Sequence, residues 1–142
     1  EYVMSFTARY IGSSKGQLKA LMRDNEDLEL DSELADILEE RLEEWEERRP
    51  GKVANRESVQ ATNALSKAFY VLVGVAYIRW VALGGRSCSL CDELDGEVVG
   101  VEQYFVQRDE TLEGEDGNEM TVYKPAGHAP LHDGCQCQIV AD

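Results

Sequence analysis

The sequence is short of positive charge. It holds 14 lysines and arginines against 28 aspartates and glutamates, giving a formal net charge of −14 and an isoelectric point near 4.5. A protein surface that binds nucleic-acid phosphates needs a basic face. The composition therefore argues against nucleic-acid binding through this chain, and zinc-ribbon proteins that read DNA become poor candidates.

The sequence also lacks a long apolar run. Its longest, residues 69–83, is interrupted by Gly74 and Arg79 and is shorter than the roughly 20 residues that a membrane span needs. The chain opens on a glutamate with no signal-like segment, which indicates a piece of a longer or processed polypeptide. We expect a soluble single domain over residues 1–142, with 1–52 as a helical lead-in and 53–142 as its core.

Cysteine is scarce, and its placement is the most informative feature of the chain. The four cysteines form two tight pairs, in the motifs Cys88-x2-Cys91 and His132-x2-Cys135-x-Cys137. A C-x2-C turn directs two sulfurs at one point, and residues i and i+2 of a strand share a face. Side chains from both motifs can therefore complete a tetrahedral zinc site with zinc–sulfur distances of about 2.3 Å.

Spacing leaves other states of these cysteines open. Two disulfides between the pairs, or a mixed redox state, would use the same geometry, and independent thiols are a third alternative. Thioredoxin-like chemistry is disfavoured, because Gly84-Gly85 and Asp95-Gly96 predict turns on both sides of the first pair.

Five candidate ligands compete for four tetrahedral positions. His132 could replace either Cys135 or Cys137, and spacing does not decide which four bind. His128 is more simply explained as a loop histidine. A catalytic zinc keeps an open coordination position, and so many candidates favour a closed, structural one. We expect one structural zinc per chain, with ligands drawn from Cys88, Cys91, His132, Cys135 and Cys137.

Two helices are predicted in the lead-in. Ser14 and Gln17 fit a capping box that starts a short helix at 15–23. An apolar stripe predicts a second helix at 32–49, stopped by Pro50. Its cap is predicted at Asp31 or Ser32, its Trp45 is expected to be buried, and its opposite face is acidic and expected to be solvated, with Glu39, Glu40, Glu43, Glu44, Glu46 and Glu47.

A third helix is predicted at 55–73 and ends at Gly74. Its core-compatible positions are Val59, Thr62, Leu65, Ser66, Phe69, Leu72 and Val73. We expect the helices at 32–49 and 55–73 to fold without the metal, because each has its own apolar stripe.

Strands are predicted around the cysteine motifs. Residues 75–83 are aromatic and β-branched, which predicts a strand containing a buried Trp80, and short strands are predicted at 97–101 and 136–140. The polar segment 108–120 is predicted to be an exposed loop. The predicted fold is α+β: N-terminal helices followed by a small antiparallel sheet that the C-x2-C and H-x2-C-x-C motifs staple together.

The second half of the chain resembles the Mu-F-like family of phage head morphogenesis proteins, also called minor capsid or minor head proteins. The resemblance covers residues 53–140, and Gln136 stands where that family usually has a basic residue. It rests on Glu57, Asn63, Gly74, Trp80, the motif Cys88-x2-Cys91-x2-Leu94-x-Gly96 and the motif Pro130-Leu131-His132-x2-Cys135-x-Cys137.

The resemblance implies a structural virion protein rather than an enzyme. Such a protein acts in head assembly near the portal or the inner capsid, is sometimes fused to a portal protein, and has capsid or portal proteins as its partners. Localisation to the virion, after assembly in the host bacterial cytoplasm, is implied as well. The reducing cytoplasm favours zinc over disulfides.

Two other classes of function remain open on the residues alone. One is an enzyme, because Mu-F-like modules also occur beside toxin domains, and Arg56, Glu57, His128 and His132 are candidate catalytic groups. Metal-hydrolase and nucleophile-elbow motifs are missing from the sequence. The other is a generic protein-interaction module that docks through its zinc knuckles.

Overall fold

The computed structural model describes residues 2–26, 33–83 and 88–142. The fold is α+β, with N-terminal helices followed by a small antiparallel sheet, as predicted. The chain divides into two compact units, Glu1–Pro50 and Gly51–Asp142. No helix of the described part is long and apolar enough to cross a bilayer.

Helix α1 (Tyr2–Asp24) is much longer than the helix predicted at 15–23. The capping role predicted for Ser14 is wrong, because its hydroxyl lies inside the helix and donates to the Tyr10 carbonyl one turn back, at 2.9 Å. Serine makes this back-bond when a helix continues through it. The caps predicted at Asp31 and Ser32 and the turn predicted at Gly84-Gly85 lie outside the described residues.

Helix α2 (Glu33–Leu72) runs through Pro50, so the predicted stop at Pro50 and the separate helix at 55–73 are wrong. Proline has no N–H to bond the carbonyl one turn back, but the turns on either side keep their own bonds. The predicted end at Gly74 is confirmed: its φ is +78°, a left-handed conformation that glycine adopts without strain.

The described part of the second unit adds five strands and one short helix. These are β1 (Tyr77–Val81), α3 (Ser89–Asp92), β2 (Val98–Gly100), β3 (Glu110–Glu113), β4 (Glu119–Val122) and β5 (Gln138–Ala141). An antiparallel three-stranded sheet has the order β2-β1-β5, with Arg79 opposite Val98 and Val140. The strands predicted at 75–83, 97–101 and 136–140 are confirmed.

The loop predicted at 108–120 is wrong, because β3 and β4 pair there as an antiparallel hairpin. Thr111 lies opposite Thr121, and their hydroxyls are 3.0 Å apart. The acidic glycine-containing stretch makes only the turn: the N–H of Gly114 donates to the Asn118 carbonyl at 2.8 Å. Because this stretch is strongly polar, the predicted loop extended over the two short strands that flank the turn.

The core lies in the second unit around Trp80, which is fully buried and stacks edge-on against Phe105 at 5.3 Å between ring centroids. Trp45 is only partly buried, contrary to expectation, and the Arg49 guanidinium covers its ring at 3.3 Å. The core consists of Ile78, Trp80, Cys91, Leu94, Phe105, Val106, Val122, Ala129, Cys135, Cys137 and Ile139.

Most of the core positions predicted for the third helix are wrong. Leu65, Phe69 and Leu72 are exposed, and so are Thr62 and Val73. Val59 and Tyr70 pack against the core, and Asn63 is buried there. Apolar periodicity locates a helix stripe, but it does not tell whether the chain's own residues cover that stripe.

Candidate metal centre

Two hydrogen-bonded turns place the candidate ligands. In the first motif the N–H of Cys91 donates to the Cys88 carbonyl at 2.9 Å, and in the second the N–H of Cys135 donates to the His132 carbonyl at 3.3 Å. Gly134 lies inside the second turn with a φ of +84°. A side chain there would be strained in this left-handed conformation, so the local sequence suits the tight turn.

The structure brings all five predicted ligands together, in two groups of three that share Cys91. One group contains Cys88, Cys91 and His132, and the other contains Cys91, Cys135 and Cys137. The donor atoms of each group lie within 4.8 Å of one another. The Cys91 and Cys135 sulfurs are 3.7 Å apart, close to the edge of about 3.8 Å that a zinc tetrahedron with 2.3 Å bonds requires.

His132 presents one defined nitrogen to this cluster. Its Nδ1 lies 2.8 Å from the Asp133 carbonyl, to which an Nδ1–H can donate a hydrogen bond. Its Nε2 lies 3.0 Å from the Cys88 sulfur and 3.2 Å from the Cys91 sulfur, and in the tautomer with hydrogen on Nδ1 it offers a lone pair to a metal. A metal-binding histidine is usually fixed in this way by a carbonyl on its other nitrogen. His128 lies outside both groups, with its Nδ1 beside the Ala129 carbonyl at 2.7 Å.

Burial and mutual hydrogen bonds set the charge of the thiols. Hydrogen bonds from Cys137 and Cys91 lower the pKa of Cys135 to about 2. The same contacts with Cys135 raise the pKa of Cys91 and raise that of Cys137 to about 11. Of the three buried sulfurs, Cys135 is therefore the one that ionises most readily. A cation would let all three ionise, which is how thiolate sites couple metal binding to proton release.

The four cysteines are free thiols. The separation of 3.7 Å between Cys91 and Cys135 is far from the roughly 2.05 Å of a disulfide bond. Among the described residues the cluster is thus a Cys/His group able to hold a metal ion. The buried indole N–H of Trp80 has no hydrogen-bond partner among the described nitrogen and oxygen atoms. Toward the Cys137 sulfur it opposes, but does not outweigh, the rise in pKa that the contact with Cys135 causes.

Helix α2 binds the backbone that carries the second motif. The buried Asn63 side chain donates to the Cys137 carbonyl at 3.1 Å and accepts from the Ile139 N–H at 2.8 Å. Its carboxamide thus pairs with the outer edge of β5 as a neighbouring strand would. The same amide nitrogen also donates to the Val59 carbonyl at 3.0 Å. Sequence reasoning named Asn63 only within the resemblance and predicted no contact for it.

Two cations on the same helix make similar contacts. Arg56 forms an ion pair with Asp133, the residue after His132. The ammonium of Lys67 donates to the carbonyls of Gln103 at 2.9 Å and Gly127 at 2.8 Å. Sequence reasoning missed Lys67, although it is the single charged residue between Glu57 and Arg79. An isolated charge on an otherwise uncharged helix segment is the signal that could have identified it.

Comparison with known protein families, curated proteins and solved structures finds no match to this chain. The Cys/His cluster is therefore the best-supported functional feature of the described residues. Two of the four groups considered as catalytic candidates have contacts at this cluster: Arg56 pairs with Asp133, and the Nε2 of His132 faces the sulfurs.

Proposed function

We propose that this chain is a structural protein of phage head morphogenesis, a minor capsid protein of the Mu-F-like kind. It acts in virion assembly near the portal or the inner capsid, alone or as the C-terminal part of a portal fusion, with capsid or portal proteins as its partners. The observation that carries the proposal is the pairing of the two cysteine motifs at one site, at the spacing on which the resemblance rests.

The proposed cofactor is one structural zinc ion. Thiolate and imidazole donors suit Zn²⁺, which has no redox chemistry and accepts tetrahedral sulfur and nitrogen ligands. Cys88, Cys91 and His132 would hold it from one side, and Cys135 or Cys137 from the other. The metal would fasten α3 to the segment leading into β5, so its contribution is to the order of the fold.

A structural role fits the donor set better than a catalytic one. A catalytic zinc has three protein ligands and an open position for water or substrate. Here five donors gather, and three of them, Cys91, Cys135 and Cys137, are buried in the core. Ligands packed among core side chains leave little access for a substrate.

Metal analysis tests the zinc. Protein purified under reducing conditions should contain one zinc per chain, and Cys91→Ser should lose it because Cys91 belongs to both donor groups. Gln136→Ala is the matched control, since it lies between two candidate ligands and offers no metal donor of this kind. Metal-free wild-type protein with a covalent bond between the two cysteine motifs would overturn the zinc proposal.

Head assembly tests the biological role. The same two substitutions can be introduced into the phage or prophage that encodes the chain. We expect Cys91→Ser to abolish normal heads in electron micrographs and Gln136→Ala to preserve them. Normal heads that lack the folded protein would exclude the assembly role. A zinc-loaded protein that is dispensable for heads would leave the interaction-module alternative in its place.

A further inference from the structure

The outer face of α2 in the second unit has a regular pattern. Its exposed positions alternate in spacing between four and three residues, which is the heptad period of a helix that packs along another helix. These positions, which we call the outer seam, are Ala54, Ser58, Ala61, Leu65, Ala68 and Leu72. They lie opposite the side of the helix that carries Val59, Asn63 and Tyr70 to the core.

The outer seam is apolar to an unusual degree for an exposed surface. Leu65 is 71% exposed and Leu72 is 82% exposed, and Phe69 beside them is 58% exposed. Contiguous apolar surface of this kind on a soluble domain marks an interaction site. From residue 58 to residue 78 the single charged residue is Lys67, and its ammonium is bound to carbonyls of the second unit.

We propose that the outer seam binds the outer seam of a second copy of this chain, as an antiparallel helix pair. The pattern of side-chain sizes carries this choice of partner. An antiparallel pair centred between Ser66 and Lys67 places Leu65 opposite Ala68, and Leu72 opposite Ala61. The same register places Phe69 opposite Ala64. Each large side chain therefore faces a small one, as close packing of two helices requires.

Charge limits where two copies can meet. The chain has a net charge of −14, so two copies repel one another over most of their surface. The outer seam and its flanking positions bring no carboxylates together. A two-fold axis makes this contact self-complementary, the usual geometry of homodimers. The matched segment, residues 61–72, is about 16 Å long at 1.5 Å per residue. A contact this short predicts a weak dimer, with a dissociation constant in the micromolar range.

Sedimentation equilibrium of the metal-loaded full chain tests the dimer. We expect a monomer–dimer equilibrium, and Leu65→Glu should raise its dissociation constant by more than about tenfold, since a carboxylate would be buried against Ala68. Leu42→Glu is the matched control: Leu42 is an exposed leucine of the same helix outside the seam, and its variant should dimerise as the wild type does. Circular dichroism should show the same helix content in all three proteins.

The register has its own test. Ala68→Leu alone should weaken the antiparallel dimer, because it places leucine against leucine, and adding Leu65→Ala should restore it. A parallel pair would respond oppositely, since Ala68→Leu would extend a leucine seam and strengthen it. A wild-type chain that stays monomeric up to about 500 μM, or a dimer that Leu65→Glu leaves intact, overturns the proposal. If Ala68→Leu alone strengthens the dimer, the antiparallel arrangement is wrong.

Discussion

The two halves of α2, on either side of Pro50, carry very different surfaces. The half before Pro50 is dense in charge, with Arg41 and Arg48 both paired to Glu44 on its exposed face. The half after Pro50 has few exposed charges, and two of its polar side chains, Asn63 and Lys67, are directed into the fold. Asn63 and Lys67 there bind backbone groups of the second unit. One continuous helix therefore serves two units with different sources of stability.

The two units also differ in their cores. Among its described residues the first unit buries one side chain, Leu34, and its helices are joined by Arg49, which donates to Ser14 at 2.6 Å and to Gln17 at 2.9 Å. The second unit buries three cysteines together with aromatic and aliphatic side chains. Because those cysteines are candidate metal ligands, a metal bound there would couple its binding to the packing of this core.

Metal removal should have the largest effect and should separate the units. In the Cys91→Ser variant we expect loss of stoichiometric metal and of amide protection over residues 88–141. The metal-binding free energy at stake is on the order of 10 kcal/mol, judged from isolated zinc fingers. The second half of α2 should lose protection too, since Asn63 and Lys67 bind the backbone that the metal orders. Hydrogen exchange measures all of these segments at once.

This expectation differs from the one drawn from the sequence, in which the helix at 55–73 folds without metal on its own apolar stripe. Most of that stripe is exposed, so it gives the helix little internal support. Protection of residues 2–24 and 33–49 should be unchanged in the variant. If residues 55–72 also kept their protection, the dependence of this half of α2 on the metal would be refuted.

Asn63→Leu should have the next largest effect, with the metal still bound. The change removes the partners of the Ile139 N–H and the Cys137 carbonyl, both buried. An orphaned buried group costs about 1–3 kcal/mol, so with two such groups the second unit should lose about 2–6 kcal/mol. Urea unfolding of the zinc-loaded protein measures this loss. Thr62→Ala, one residue away and exposed, should change stability by less than about 0.5 kcal/mol, and equal midpoints for the two variants would contradict the role of Asn63.

Lys67→Met should cost less, about 1 kcal/mol at pH 7, because two carbonyls lose a donor. Burial lowers the pKa of Lys67 below the 10.5 of a free lysine. The unfolded chain then binds this proton more tightly than the folded chain, so wild-type stability rises between the lowered pKa and 10.5. Lys67→Met lacks that rise. Unfolding midpoints taken from pH 7 to pH 10.5 should show the gap widening with pH, and a gap that narrows would exclude this linkage.

The sequence predicted the parts of the fold that follow from local pattern. Aromatic and β-branched composition predicted the strand that includes Trp80, and cysteine spacing predicted that the five donors meet at one place. The predicted helix end at Pro50 was wrong because a proline removes only one backbone hydrogen bond, and the helix continues through it. The hairpin at β3 and β4 was missed because its strands are four residues each, with an acidic turn that dominates the composition.

The polar contacts of α2 could not be predicted for a different reason. A buried asparagine and an exposed one look alike in a single sequence, and Asn63 is distinguished only by the β5 edge that reaches it from 74 residues away. The sequence likewise does not show whether the apolar stripe of α2 faces the chain's own core or its surface. Leu65 and Leu72 have helical spacing whether the partner is the chain's own core or another molecule.

The smallest effect is expected on the acidic face of the first half of α2. Glu39, Glu43 and Glu47 are exposed, and exposed charges contribute about 0–1 kcal/mol in total to stability. Reversing all three to lysine should leave the melting temperature and head assembly unchanged. Leu34→Lys is the contrasting control, because it places a charge at the one buried position among the unit's described residues and should melt that unit. If the triple reversal kept the fold but blocked incorporation into heads, this face would be a docking site rather than a solvated surface.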